Sequence, residues 1–424
     1  MRSDPAPRSV RPRLAAIAVV GALALAACGS EDAPTVDAPK GEPQAVANLG
    51  FPVVATRNTT RTATNDPAVA AAAVARAIYS GGAAETQARA VAIVDQGDWR
   101  AALAATSLMA PPLGAPVLFS NGADLPDTTK DAIEALRPAG STAAGGAQAI
   151  RVGAVGRPSG LRTTDIDGAD GLEIATAVDR FIRATRTRTT NRVLIVSADH
   201  PDFAAPAASW LAKSGDALGF VRGDEIPPST VRLLRSQPKA AIYVLGPTNV
   251  ITPGVTKALR RYGTVRRVGG ADPVANAVGF ARYSDGAFGW NINEPGHGFT
   301  FARSGEILDA VTLAPFSASG LHGPLLLLDK PDALPQAVQR YLIDVQPGYQ
   351  TDPARGVYNR GWLTGDISRI SATLQSQLDA LLEIAPVRNA TTTSETAPPP
   401  TTEPTPPPTT TTTRSTPTPP APTE

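Results

Sequence analysis

Three stretches of the chain, VAIVDQGDWRAALAATSLMA from Val91, VLIVSADHPDFAAPAASWLA from Val193 and FTFARSGEILDAVTLAPFSA from Phe299, repeat one pattern about every hundred residues. Each is a short apolar run, a polar turn and an Ala-rich amphipathic run. A short continuous apolar run bounded by turn residues suits a buried strand, and the Ala-rich run suits a helix. One β-turn-α unit is therefore written three times.

The echo extends outward. A second apolar run follows in each unit: PVLFS from Pro116, LGFVR from Leu218 and LLLLD from Leu325. DLPDTTKDAIEAL, EIPPSTVRLLRSQ and ALPQAVQRYLIDV come next, from Asp124, Glu225 and Ala333, with Pro126, Pro227 and Pro335 each one residue past an aliphatic. Proline suits the first turn of a helix, where the N–H it lacks would be unpaired anyway, so each segment predicts a helix start. IYVLGPTNVITPGVTKAL from Ile242 matches RGWLTGDISRISATLQSQL from Arg360, with Gly246 opposite Gly365 and Ile251 opposite Ile370. The first unit keeps only AIRVG at Ala149 before a Gly- and Arg-rich loop. A polar turn feeding an Ala/Val-rich helix opens the units at Asn58, Asp167 and Gly269. Alternating strands and helices predict an α/β fold of parallel strands covered by helices.

The amino end carries Arg2, Arg8, Arg11 and Arg13, then an apolar run from Leu14 to Ala27, then Cys28, the only cysteine. A basic segment before an apolar run too short to span a bilayer reads as an export signal. The junction Leu25-Ala26-Ala27-Cys28-Gly29 resembles the bacterial lipobox, which implies cleavage before Cys28 and a lipid on its thiol; an ordinary signal peptide with a coincidental cysteine is the alternative. The expected organisation is a lipoprotein signal over residues 1–27, a linker over 28–49, repeats over 50–164, 165–263 and 264–387, and a disordered Thr/Pro-rich tail over 388–424. That tail has no large apolar residue with which to build a core. With one cysteine no intramolecular disulfide forms, so packing must hold the body. The 39 Lys and Arg nearly balance 38 Asp and Glu, which argues against nucleic acid as a partner.

The strand, turn, helix and aliphatic-Pro pattern, with strands ending in Gly before Ile-Thr or Ile-Ser, resembles the bacterial cell wall-binding repeat type 2. The second copy carries it through HPDFAAPAA at His200, EIPPST at Glu225 and YVLGPTNVIT at Tyr243. The third carries it through LDAVTLAP at Leu308, ALPQAV at Ala333 and LTGDISRIS at Leu363. The first carries it through RTATNDP at Arg61, WRAALAA at Trp99 and DLPDTT at Asp124. The resemblance implies three tandem Rossmann- or Toprim-like repeats packed around a pseudo-threefold axis, a monomer with an internal pseudo-trimer, and non-covalent attachment to a cell-wall polymer such as an anionic polysaccharide. It also implies an arginine in the turn opening each unit; Arg61 fits, whereas the other copies offer Gly171-Leu172 and Pro273-Val274.

Catalytic signatures are missing: there is no G-x-S-x-G, H-E-x-x-H, P-loop or strand-linked G-x-G-x-x-G motif. The three histidines, His200, His297 and His322, are scattered, so no metal or other cofactor is expected. Asp95 and Asp98 superficially resemble a Toprim acid pair but lack counterparts, and read as turn acids favouring a helix N-terminus. Asp202 and Asp309 sit at helix starts, where a carboxylate either caps free backbone N–H groups or meets a ligand. Arg61 either pairs with an anionic polymer or bridges repeats. Trp290, among glycines and polar residues in SDGAFGWNINEPGHG from Ser284, either stacks on a sugar ring as a surface residue or packs in the core. The ligand candidates are thus Arg61, Asp202, Asp309 and Trp290, with Cys28 for lipidation. The expected function is a non-catalytic, lipid-anchored surface protein on the outer face of the cytoplasmic membrane, binding wall polymer or acting as an envelope scaffold. A solute-binding lipoprotein and a wall-modifying hydrolase are the alternatives.

Overall fold

The structure, a computed structural model, describes residues 53–79, 86–187 and 190–387. The signal segment, Cys28, the linker up to residue 49 and the Thr/Pro-rich tail from residue 388 lie outside the described residues.

Strands β1 (Val53–Ala55) and β2 (Thr59–Thr62) precede helix α1 (Pro67–Ile78). The first unit continues with β3 (Val91–Asp95), α2 (Trp99–Ala105), β4 (Val117–Ser120), α3 (Asp127–Leu136), β5 (Ala149–Val152) and β6 (Thr163–Ile166). Then come α4 (Gly171–Thr185), β7 (Arg192–Ser197), α5 (Pro201–Ala204), α6 (Ala207–Ser214), β8 (Ala217–Val221), α7 (Pro228–Ser236), β9 (Ala240–Leu245), α8 (Pro253–Leu259) and β10 (Gly263–Val268). The last stretch holds α9 (Pro273–Arg282), β11 (Gly298–Arg303), α10 (Ile307–Ala318), β12 (Leu325–Leu328), α11 (Gln336–Asp344), β13 (Gly348–Tyr349), β14 (Arg360–Thr364), α12 (Ala372–Leu382) and β15 (Ala385–Pro386).

Three sheets share one strand order. Two are the parallel sets β4-β3-β5-β6 and β8-β7-β9-β10. The third runs β12-β11-β14-β2-β1, parallel except for the antiparallel β1–β2 edge. Its fourth strand therefore comes from the start of the described body: Thr59–Thr62 pairs with Gly361–Thr364, some 300 residues later. In the other two sheets the corresponding strand, β6 or β10, leads directly into the helix that opens the next unit.

Local chemistry explains the elements. The strands opening the units are buried along nearly their full length, as parallel strands covered on both faces must be. The opening helices α1, α4 and α9 have Asp66, Asp170 and Asp272 as N-caps, each accepting backbone N–H bonds from the first turn. Such a cap contributes about 1 kcal/mol. Pro126, Pro227 and Pro335 stand at the N-caps of α3, α7 and α11, as the aliphatic-Pro pattern predicts. Helices α2, α6 and α10 each touch the other two. Their buried faces carry Ala101, Ala102, Ala104, Ala207, Ala208, Ala212, Ala310 and Ala314, small side chains that let helix backbones approach and that favour helix intrinsically.

Candidate functional site

The sequence candidates at the carboxyl ends of the strands are held by the chain itself. Arg61, on β2, is 1% exposed. Its Nε donates to Gln375 Oε1 at 2.7 Å, and Nη1 donates to the Ile370 carbonyl at 2.5 Å. Burial lowers its pKa, with Asp366 opposing. This arginine is a buried strut between β2 and the β14–α12 turn, and its fork is closed to a polymer.

Arg267, on β10, holds the matching turn of the second sheet. It donates to the Gly246 carbonyl at 2.6 Å and to the Ile251 carbonyl at 2.8 Å. Gly246 and Ile251 are the residues that align with Gly365 and Ile370, and Arg61 reaches the carbonyls of both of those too. The third copy therefore does carry an arginine ahead of its opening helix, six positions before Pro273. In the first sheet Arg151, on β5, takes a similar part, donating to the Val155 carbonyl and pairing with Asp165 on β6.

Asp202 does not cap its own helix. Its Oδ1 accepts the backbone N–H of Gly305 at 2.7 Å, in the turn after β11. Arg100, near the start of α2, makes a comparable reach forward, donating through Nε to the Ala198 carbonyl after β7 at 2.9 Å. Asp309 is 2% exposed and takes Nη1 of Arg369 at 2.9 Å on both carboxylate oxygens. Burial pushes its pKa up to about 7 against the pull of Arg369. Asp98 caps α2, and Asp95 accepts the N–H groups of Gly97 and Gly122, so both serve as turn acids.

Trp290 is not the exposed ring that its polar neighbours suggest: it is 7% exposed. The loop folds back on α9, with Asn291 N–H on the Tyr283 carbonyl and Ile292 N–H on the Ala281 carbonyl. That turns the indole inward, edge-to-face on Trp210 with centroids 5.4 Å apart. Its other neighbour is the Lys213 ammonium, 4.6 Å from the ring centroid, within cation–π range.

Trp290 lines a cavity of about 510 Å³ with Lys213, His297, His322, Tyr358 and Arg360. No aspartate or glutamate lines it. Lys213 comes from the end of α6, in the second unit, and the others from the loops around β11, β12 and β14 in the third. Two of the lining residues carry a buried polar atom, Trp290 Nε1 and His322 Nδ1, that has no hydrogen-bond partner. Burial, reinforced by Arg360, lowers the His322 pKa to about 4, and burial also lowers those of His297 and Lys213. Gly298 permits the close packing: a Cβ there would stand 2.7 Å from the Leu321 carbonyl and 2.8 Å from the His322 ring. Of this constellation the sequence pointed only to Trp290 and its loop; Lys213, His322 and Arg360 come from separate segments with no shared motif. Among the described residues no three His, Cys, Asp or Glu side chains gather as a metal site, and no helix is long and apolar enough to cross a membrane.

The fold is similar to that of Cwp6 from Clostridium difficile, with a TM-score of 0.61 and 18% identity over 77% of this chain and 48% of that one. Cwp8 from Clostridium difficile gives a TM-score of 0.59 and 16% identity over 77% of this chain and 52% of that one. The chain thus spans about half the length of either, and at these identities the likeness is one of fold. No family model and no curated protein matches the chain.

Proposed function

We propose that the chain is a non-catalytic cell-surface protein that binds a cell-wall polymer, with its three α/β units turning about a pseudo-threefold axis. The observation that carries this reading is the cavity between the second and third units, whose wall combines Lys213, Arg360, two histidines and two aromatic rings with no acidic side chain. Cationic lining without acids suits an anionic polymer, and weak contacts repeated along a polymer add through multivalency. The fold shared with Cwp6 and Cwp8, and the type 2 repeat pattern in the sequence, agree with a wall-associated role. Support for the pseudo-threefold arrangement comes from the mutual contacts of α2, α6 and α10 and from the common sheet order. The proposal keeps export and a lipid on Cys28 as the means of attachment to the outer face of the membrane.

The test is co-sedimentation of the full chain carrying Cys28→Ala with walls isolated from its own organism. Pelleting at low salt that fades as salt rises supports the reading, because screening weakens exposed charge pairs. Failure to pellet at low salt rejects it.

A further inference from the structure

Beyond general attachment to the wall, the cavity at Trp290 has the features of a specific small-ligand pocket. It lies beside the starts of β11 and β14, away from the strand ends where Arg61, Arg369 and Asp309 hold one another. At about 510 Å³ its size falls within the roughly 300–1,000 Å³ of pockets that enclose small ligands.

The cationic lining without an acid is the strongest sign. Trp290 and His322 line this cavity, are each more than nine-tenths buried, and each carries a buried polar nitrogen without a hydrogen-bond partner. A buried polar atom left unpaired is costly, so two in residues lining one cavity mark a wall that is not fully satisfied by the protein itself. The fixed positive charges beside them are Lys213 and Arg360. Arg360 uses one nitrogen, Nη2, on the Leu321 carbonyl, and Lys213 lies over Trp290 with no carboxylate on its ammonium among the described ion pairs. Glu294 is the acid whose charge acts on His297, and it does not line the cavity. Tyr358, 52% exposed, adds an aromatic face at the rim of the kind that stacks on sugar rings.

We infer that this cavity binds a single acidic sugar unit, a polyhydroxylated ring bearing a carboxylate or a phosphate. Lys213 and Arg360 would receive the anion, while the exposed ring of Tyr358 would pack against the sugar. The inference rests on the wall-polymer reading and identifies the part of the polymer that is recognised.

The experiment is calorimetric titration of the full chain carrying Cys28→Ala with glucuronate, glucose 6-phosphate, glucose and inorganic phosphate. At least one acidic sugar should bind, and the stronger of the two identifies the anionic group. Glucose should bind at least tenfold more weakly. Lys213→Met and Arg360→Gln, both at exposed side chains, should each weaken acidic-sugar binding at least tenfold with an unchanged melting temperature. Absence of binding by both acidic sugars overturns the inference, as does equal binding by inorganic phosphate, which would mark a plain anion site, or unchanged affinity in both variants. Wall pelleting by the same chains separates the two claims: pelleting without acidic-sugar binding overturns the pocket alone, whereas acidic-sugar binding without pelleting overturns wall attachment and leaves the pocket standing.

Discussion

Arg61 and Gln375 lie 314 residues apart in sequence, and the Nε of one donates to the Oε1 of the other at 2.7 Å inside the protein. Gln375 in turn donates to Thr59 Oγ1 at 3.1 Å, so the side chain of α12 clasps two residues of β2. The third sheet is completed by a strand from the opposite end of the body, and this clasp sits at the join.

Removal of the buried guanidinium leaves the Gln375 and Ile370 acceptors unpaired, at about 1–3 kcal/mol each. Arg61→Ala should therefore lower unfolding free energy by about 3 kcal/mol, and Arg61→Lys should recover only part of it, since one ammonium cannot reproduce the planar fork. Denaturant titration reads both. A loss below about 1 kcal/mol would show that the strut is dispensable.

A chain beginning at Asn65 lacks β1 and β2. It should show faster amide exchange across Arg360–Thr364, which loses its β2 partner, than across Arg192–Ser197, whose sheet is intact. Equal protection of the two strands would contradict the closure of the third sheet.

Burial holds the Asp309 carboxyl at about 7, above the roughly 3.9 of an unfolded chain. Folding thus favours its protonated form. Its contribution to stability is complete below about pH 4 and is lost as pH rises through about 7. In thermal melts from pH 4.5 to 8, the advantage of the native chain over Asp309→Asn should shrink as pH rises. Asp179, raised by burial to about 6, acts in the same direction but is common to both chains and cancels. A pH-independent difference would mean that the Arg369 pair keeps Asp309 ionised throughout.

Gly263 opens β10 where a Cβ would stand 1.9 Å from the Ala240 carbonyl oxygen. The clash is with backbone, which cannot rotate away, so Gly263→Ala should destabilise by about 2 kcal/mol or more. Denaturation midpoints test this, and an unchanged midpoint would show that β9 and β10 separate without penalty.

The cassettes were legible because strand and helix periodicities are written along contiguous sequence: Val91, Val193 and Phe299 begin runs that lie in β3, β7 and β11. Arg61 and Arg267 could also have been matched from sequence, since both stand six residues before an Asp-capped proline, Pro67 and Pro273. The fourth strand of the third sheet was not legible, because pairing of Thr59–Thr62 with Gly361–Thr364 depends on where the chain returns in space. The burial of Trp290 is not legible for a related reason. Polar neighbours describe a loop's solvent face, while the hydrogen bonds of Asn291 and Ile292 to α9 decide which way the ring turns. The cavity gathers Lys213, His322 and Arg360 from three separate segments, so no local spacing announces it.

The most direct measurement of the central claim is the fraction of the purified chain, carrying Cys28→Ala, that pellets with its own organism's walls before and after their anionic polymers are chemically stripped. Wall attachment through an anionic polymer predicts salt-sensitive pelleting with intact walls and its loss with stripped ones. Equal pelleting with stripped walls, or none with intact walls at low salt, would contradict it.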